Sequence, residues 1–311
     1  MASESEPSAA AAPPAPAAAA AARPFNATFA SLPTTVFEAM SRLAAEHGSI
    51  NLGQGFPDAE LEGPPSLKAE VARSLRHESN QYPPLMGVPE LRRAVAAHSA
   101  RHAGLPLDWR SQTLVTLGAT EALAAAFLGL LNPGDEVVVF EPLYDSYVPM
   151  IRRAGGVPRL VRLHPPSWRI DPRELQAAFG PRTTLVVLNT PHNPTGKVFS
   201  ADEIRAVAAL CLRHGAYALL DEVYEHLVHD GAAAPHRSLR ALPGMAARAL
   251  RVGSAGKTFS FTDFKVGWVS GPEDMVAAVA KAHQFLAFTV NSALQRAVAL
   301  GLDQEQAFYI G

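Results

Sequence analysis

The feature that most constrains the fold is an alternation of short β-type runs and helical patterns over most of the chain. Several runs are apolar continuously rather than at every second residue, which is typical of strands covered on both faces. The predicted strands are residues 113–118, 136–142, 183–191, 216–224, 248–255 and 266–272. This pattern predicts an α/β domain with a mostly parallel sheet and helices on both faces.

The helix between the third and fourth predicted strands has clear sequence signals at both ends. Ser200 and Glu203 have the spacing of a capping box, and Gly215 follows the last residue of the helical pattern. The longest apolar run, residues 122–131, is shorter than the roughly 18 residues of a membrane span and fits a buried helix. We therefore expect no membrane-spanning segment.

Charge and cysteine content exclude several classes of partner. The net charge of −2 is spread over both signs, without the basic stripe of a nucleic-acid-binding protein. The single cysteine, Cys211, cannot form an internal disulfide and fits a reducing compartment. No His/Cys spacing indicates a metal site. We expect a cytoplasmic protein that needs no nucleic acid, membrane or metal.

The first 24 residues are an Ala/Pro-rich tail. They lack the charged start and compact apolar core of a secretory signal, so disorder is expected. Small residues and Arg23 leave organelle import open as an alternative, although Glu4 and Glu6 oppose it.

Small and polar residues follow the predicted strands at the points where the strands end. Ligands of such sheets bind outside the carboxyl ends of the strands, so these residues are the candidates for a site. In chain order they are Gly118, Ala119, Thr120, Tyr144, Asn193, Asp221, Tyr224, Ser254 and Lys257. The first three begin a helix, where free backbone N–H groups and the helix dipole favour a phosphate.

Lys257 stands in GSAGKTF, residues 253–259, which looks like the end of a nucleotide-binding P-loop. A P-loop requires a glycine six positions before its lysine, and Arg251 occupies that position here. A lysine amine can instead form a Schiff base with an aldehyde, as it does with pyridoxal phosphate. The covalent role is therefore favoured for Lys257.

The other candidates match what pyridoxal phosphate requires. Asp221 closes an apolar strand, where a carboxylate would keep the pyridine nitrogen protonated. Tyr144 offers a ring for stacking, with Tyr147 as a neighbouring alternative. Asn193 and Tyr224 can hydrogen-bond the ring oxygen, although Asn193 also precedes a proline and can be a turn former. The candidates for the phosphate are Gly118, Ala119, Thr120, Ser254 and the cation Lys265.

The run SAGKTFSFTDFKVGW, residues 254–268, resembles the lysine signature of the class I/II (fold type I) pyridoxal-phosphate aminotransferases. LGATEAL, NTPHNPTGK and LLDEVYEHL look like the family's other landmarks, and NLGQGFPD and NQYPPLMGVPELRRAV look like its N-terminal motifs. The resemblance runs from about residue 25 to residue 311. Within the family it is strongest to the kynurenine–oxoglutarate transaminase group, also called glutamine transaminase K or cysteine-S-conjugate β-lyase, and to its methionine aminotransferase relatives.

The resemblance implies a homodimeric transaminase that moves an amino group from an α-amino acid to a 2-oxo acid. It makes Lys257 the Schiff-base lysine, Asp221 the partner of the pyridine nitrogen and Tyr224 a further catalytic residue. It also implies that Gly55 and Asn193 bind the substrate, and that Tyr82 reaches the cofactor phosphate of the neighbouring subunit. The expected amino donor is aromatic, sulfur-containing, or similar to glutamine or kynurenine.

Two features depart from the family pattern. Asp263 stands where the lysine signature usually has glycine, two residues before Lys265, and is expected to disturb the turn. The small C-terminal domain of the family, with the arginine that pairs with the substrate carboxylate, is expected to lie outside these 311 residues. The expected organisation is a tail over 1–24, a segment over 25–60 bordering the substrate site, and an incomplete cofactor-binding domain over 61–311.

Three functional hypotheses follow. The first is a transaminase. The second is a carbon–sulfur lyase that uses the same site and releases pyruvate and ammonia. The third is a catalytically impaired form that acts as the dimerisation partner of a full-length subunit.

Overall fold

The computed structural model describes residues 25–30, 32–55, 62–229 and 235–310. The chain divides into two units, of which the first ends at Pro33 and contains the short helix α1 (Ala27–Ala30). The second unit begins at Thr34 and contains the sheet. The expected disorder of residues 1–24 lies outside the described residues.

An eight-stranded sheet organises the second unit. Its strands are β1 (Thr113–Leu117), β2 (Glu136–Glu141), β3 (Val157–His164), β4 (Arg169–Ile170), β5 (Thr183–Asn189), β6 (Tyr217–Asp221), β7 (Ala249–Ser254) and β8 (Val266–Ser270). Their order across the sheet is β1-β8-β7-β6-β5-β2-β3-β4. The block from β7 to β3 pairs in parallel, whereas β8 runs antiparallel to both its neighbours and β4 runs antiparallel to β3. The predicted mostly parallel sheet is confirmed.

Helices precede, connect and follow the strands. They are α2 (Val36–His47), α3 (Pro65–His77), α4 (Pro89–Ala103), α5 (Gly118–Leu130), α6 (Tyr147–Arg153), α7 (Pro172–Ala178), α8 (Ala201–His214), α9 (Ala255–Thr258), α10 (Glu273–Leu286), α11 (Ser292–Gln304) and α12 (Gln306–Ile310). The signals read for α8 are confirmed, because Ser200 and Glu203 form a capping box and Gly215 adopts the left-handed conformation after the last turn. Within the described ranges, no helix is long and apolar enough to cross a bilayer.

Both faces of the sheet are buried outside its β3–β4 edge, as the continuous apolar runs predict. Alternate residues of the strands point to opposite faces, so neighbours such as Val137 and Val138 belong to different clusters. One cluster packs the sheet against α5 and α10, and the other packs it against α7 and α8. A third cluster joins α3, α4 and α11 to β1 and β8.

Cys211 lies on the buried face of α8 and is inaccessible to solvent. Burial raises the pKa of its thiol to about 12, so the reactive thiolate is scarce at neutral pH. The cysteine therefore serves as a small apolar side chain, as the sequence indicated.

Candidate active site

The sheet topology brings the strand ends that carry the candidate residues to one edge. β1, β2, β5, β6 and β7 run in the same direction, so their carboxyl ends lie together. β8 runs the opposite way and begins at that edge, where Val266 pairs with Leu117 and Gly267 with Ser254. The predicted residues that follow β7 and precede β8, including Lys257 and Lys265, therefore reach the same edge as those that follow β1.

Asp221 is the most buried ionisable group among the predicted site residues. The residue is 5% exposed, and Tyr147 Oη donates a hydrogen bond to its Oδ2 at 2.5 Å. The other carboxylate oxygen, Oδ1, is buried and makes no hydrogen bond to the described part of the chain. Burial raises the pKa of Asp221 to about 6, while the hydrogen bond from Tyr147 and the nearby backbone amide of Val223 oppose this shift.

The strand end beside Asp221 is fixed through the neighbouring strand. Asn189 Nδ2 donates a hydrogen bond to the carbonyl oxygen of Asp221 at 2.8 Å, and Asn189 Oδ1 accepts one from the backbone N–H of Asn193 at 2.7 Å. One amide side chain thus holds the end of β6 and the loop that carries Asn193. Asn189 was not predicted as a site residue, because its position falls inside the third predicted strand.

Two tyrosines contribute half-buried hydroxyl groups. Asn193 Nδ2 donates a hydrogen bond to Tyr224 Oη at 3.4 Å. Burial and the negative charge of Asp221 raise the pKa of Tyr224 to about 12, so the phenol stays protonated at neutral pH. Burial also raises the pKa of Tyr144, whose ring meets that of Tyr147 edge-on with 5.6 Å between the centroids.

Tyr147 has a different role from the one the sequence suggested. The sequence offers it as an alternative stacking ring to Tyr144, but its hydroxyl group donates its hydrogen bond to the carboxylate of Asp221. It is fully buried at the start of α6. Tyr144 therefore remains as the more available of the two rings.

Lys257 lies in α9, directly after β7. Its ammonium Nζ is 5.7 Å from the centroid of the Tyr224 ring, and the side chain is half-buried. Burial lowers the pKa of Lys257, and the positive charge of Lys265 lowers it further. The short helix is held by Ser254, whose Oγ accepts a hydrogen bond from the backbone N–H of Gly256 at 3.2 Å. The amine is thus positioned and reaches its neutral, nucleophilic form at a lower pH than an ordinary lysine.

The start of α5 lies against Lys265. Gly118 adopts a left-handed conformation with φ 72°, and a Cβ built there would lie 3.7 Å from Lys265 Cδ. A Cβ on Gly267 would lie 2.6 Å from the carbonyl carbon of Gly118, so only glycine allows this close approach. No side chain caps the first turn of α5 within the described residues. Its backbone N–H groups and the Lys265 cation are suited to a phosphate.

The chain entering α5 is held by a pair that the sequence reading missed. Glu121 Oε2 accepts a hydrogen bond from the backbone N–H of Leu117 at 3.0 Å, and Glu121 Oε1 lies 3.0 Å from Nδ1 of the buried His283. His283 belongs to α10, 162 positions away in the chain. That separation hides the pair from any local sequence pattern.

Contrary to the expectation from the sequence, Asp263 does not disturb the turn. It is exposed within a short 3-10 helix, Thr262–Phe264, and its φ is not positive. The left-handed residue of this turn is Lys265, with φ 50°. Because the backbone at Asp263 is accessible to any residue, glycine is not required at this position.

Gly55 and Tyr82 lie on exposed segments. No described atom lies within 4 Å of a Cβ built on Gly55. Tyr82 is 80% exposed, and its ring meets Phe288 edge-on with 5.3 Å between the centroids. Within the described residues, no contact joins either of them to Asp221 or Lys257. Their roles in binding substrate and the neighbouring cofactor remain predictions.

Comparison with known proteins gives a consistent set of relatives. The family described as aminotransferase class I and II matches residues 47–309. The chain is 45% identical over 277 residues to the probable N-succinyldiaminopimelate aminotransferase DapC of Mycobacterium tuberculosis, covering 88% of this chain and 69% of that relative. It is 42% identical over 282 residues to human kynurenine–oxoglutarate transaminase 1, covering 86% of this chain and 66% of the relative.

A solved structure has the same fold. The Escherichia coli protein YbdL, for which a methionine aminotransferase function was identified, superposes with a TM-score of 0.87 at 40% identity. The superposition covers 93% of this chain and 75% of that structure. The chain thus spans about two thirds of the length of the two curated relatives and three quarters of the solved structure.

Proposed function

The chain belongs to the class I and II aminotransferases, and we propose that it holds pyridoxal 5′-phosphate at the carboxyl edge of the sheet, with Lys257 as the covalent attachment point. The observation that carries this proposal is the buried carboxylate of Asp221, whose Oδ1 has no partner in the described part of the chain. A buried carboxylate oxygen without a donor is costly. A protonated ring nitrogen is a charge-assisted donor that would satisfy it.

The remaining residues fit the other groups of the cofactor. Lys257 would bind its aldehyde, and Tyr144 would stack on its ring. Asn193 and Tyr224 would donate hydrogen bonds to the ring oxygen. The phosphate would be held by Gly118, Ala119, Thr120, Ser254 and Lys265. When bound, the cofactor supplies an electron-accepting ring that lowers the barrier to removing the α-proton of the amino acid.

The protein's own residues manage charge and protons in this site. The lowered pKa of Lys257 increases the fraction of neutral amine, which can accept a proton at Nζ and return it. Tyr147 fixes Oδ2 of Asp221, so the orientation of the carboxylate is set before any ligand arrives. At neutral pH the carboxylate is ionised, because its pKa is about 6. A fixed negative charge at that point favours a protonated ring nitrogen.

Exposed aromatic side chains support a homodimer. Tyr82 is 80% exposed, and Phe288, whose ring meets it edge-on, is 45% exposed. Large aromatic rings that are exposed on the surface are typical of surfaces that a partner covers. We infer that a second copy of the chain covers this surface and that Tyr82 reaches the partner's site. We also infer a cytoplasmic location, which the unpaired, buried Cys211 supports.

The test of the covalent role is an absorbance spectrum and an intact mass, recorded after incubation with pyridoxal phosphate, borohydride reduction and desalting. The parent should gain the reduced cofactor on Lys257, located by peptide mapping, and Lys257→Ala should not. Lys281→Ala, which removes an exposed lysine of α10, is the matched control and should behave as the parent does. Incorporation of the same amount of reduced cofactor into Lys257→Ala as into the parent would refute the proposal.

We infer that the amino donor is an α-amino acid similar to those in the names of the relatives. We propose that methionine-like, kynurenine-like and acylated diaminopimelate-like amino acids are the compounds to compare, each with a 2-oxo acid acceptor. A donor-dependent consumption of the 2-oxo acid identifies the transaminase reaction. The lyase alternative predicts pyruvate and ammonia from a cysteine S-conjugate without any acceptor. The same panel therefore separates the two reactions.

A further inference from the structure

A second group of ionisable side chains joins α4 to the segment after β6 and has no part in the proposed chemistry. It contains His98, His102, Glu225 and His226, which we call the histidine cluster. His98 Nε2 lies 2.8 Å from His226 Nε2. The three ring centroids are 4.7, 5.1 and 5.2 Å apart. Three imidazoles at such short range form an unusual concentration of metal-ligand groups.

The donor atoms have nearly the spacing that a metal ion requires. One ligand atom from each of His98, Glu225 and His226 lies within 4.8 Å of the other two. Ligands at about 2.0–2.2 Å from a tetrahedral zinc ion are about 3.3–3.6 Å apart. The two imidazole nitrogens, which lie 2.8 Å apart, would therefore separate by roughly 0.5–0.8 Å on binding the ion.

His102 gives the cluster an open side. It lies four residues after His98 on α4, so both rings project from the same face of the helix. His98 is 2% exposed, whereas His102 is exposed to solvent. The cluster thus runs from the interior to the surface, which provides an entry path for an ion. After a rotation of its side chain, His102 would supply a fourth ligand.

The surroundings support a bound cation. Arg251 Nη2 donates a hydrogen bond to Glu225 Oε2 at 2.7 Å, which orients the carboxylate as outer-shell partners of metal ligands do. Arg251 also pairs with the buried Glu222, which lies 3.6 Å from His236 Nε2 as well. The ring of Tyr309 packs on His226 with 4.5 Å between the centroids and shields the cluster. Shielding from solvent strengthens the attraction between the carboxylate of Glu225 and a divalent ion.

We propose that His98, Glu225 and His226 bind one divalent transition-metal ion of the zinc type, with His102 at the open side. Imidazole and carboxylate ligands suit zinc and its neighbours rather than calcium or magnesium. The ion would join α4 to the segment that carries Asp221 and Tyr224. Sequence spacing gave no sign of it, because His98 and His226 are 128 positions apart.

A neighbouring set of groups provides the control. Glu222, Glu225 and His236 also place one ligand atom each within 4.8 Å of one another. Both of these carboxylates are already paired with the positive charge of Arg251, and this set contains a single imidazole. The three proposed ligands of the histidine cluster include two imidazoles, and Glu225 is the one among them that Arg251 binds. His236→Ala therefore removes a nearby histidine without removing a proposed ligand.

The experiment uses the tag-free, cofactor-loaded protein without amino acid. Calorimetric titration with Zn²⁺ should give one ion per chain, and Co²⁺ should give the visible absorption of a tetrahedral site. Because outer-shell partners alone are worth about 10- to 100-fold in metal affinity, His98→Ala and His226→Ala should each weaken binding by about 100-fold or more. His102→Ala should weaken it less, and His236→Ala should leave it unchanged. Zn²⁺ should raise the unfolding temperature of the parent but not of His226→Ala.

Several results would overturn the proposal. They are the absence of stoichiometric binding in the parent, an undiminished affinity in His226→Ala, or a loss of binding in His236→Ala alone. Far-UV circular dichroism shows whether each variant is folded. If His98→Ala fails to fold, the half-exposed His226 decides the question, because its replacement removes a ligand without opening the core.

Discussion

Replacing Asp221 by Asn should stabilise the cofactor-free chain at neutral pH. The pKa of Asp221 is raised from 3.8 to about 6 by burial, so the folded chain binds this proton more tightly than the unfolded chain. Stability therefore falls as the pH rises from about 4 to about 6, and the loss is complete above that window. At about 1.36 kcal/mol for each pKa unit, the raised pKa corresponds to roughly 3 kcal/mol.

Asparagine has nearly the same shape as aspartate and carries no charge. Its side-chain oxygen can still accept the hydrogen bond from Tyr147 Oη, so the local packing is retained. Asp221→Asn should thus exceed the parent in free energy of unfolding by up to about 3 kcal/mol at pH 8, and the difference should vanish near pH 4. Asp145→Asn, which neutralises an exposed carboxylate before α6, is the matched control.

The measurement is urea unfolding of the three cofactor-free proteins at pH 4, 6 and 8. Comparing variant with parent at each pH cancels the titration of all other groups. A variant that is less stable than the parent at pH 8, or a gain that does not depend on pH, would refute the reasoning. The same substitution should reduce transaminase activity by about 100-fold or more, because a fixed charge in the site is lost.

Three further predictions concern the phosphate end, a helix cap and the thiol. Glu121→Ala should weaken the binding of pyridoxal phosphate by about five- to tenfold and leave unphosphorylated pyridoxal unaffected, because Glu121 holds the chain entering α5; equal losses for both compounds in an absorbance titration would contradict this. Ser200→Ala should lower the free energy of unfolding by about 1 kcal/mol through loss of the capping box, as measured in urea. Cys211 should react with a disulfide reagent only at the rate of unfolding, and rapid reaction in buffer would show that α8 is less well packed than described.

The predicted strands locate most of the sheet. All six begin within one residue of an observed strand, because continuous apolar runs mark strands that are covered on both faces. The predicted ends run too long, since the polar site residues that follow the strands were counted with them. β3 was missed because it alternates exposed and buried residues and contains Pro158 and charged side chains.

The site residues that directly follow a strand could be predicted from the sequence. The contacts between segments that are distant in the chain could not. Asp221 and Lys257 follow apolar runs directly, which marks them without knowledge of the fold. The bond from Tyr147 to Asp221, the Glu121–His283 pair and the histidine cluster depend on contacts between segments far apart in the chain. The direction of β8 was equally hidden, because a strand's residues do not record which way its neighbour runs.

The position of β1 has a consequence for the order in which the protein is assembled. Among the described strands β1 pairs with β8 alone, although β2 is the next strand in the chain. The parallel block from β7 to β3 can form through successive short crossovers, whereas β1 must wait until the segment around Val266 exists and has folded. A chain growing on the ribosome would thus acquire Asp221 in its final setting before it could complete the Gly118–Lys265 side. Affinity for a phosphorylated ligand would then appear only after the parallel block has formed.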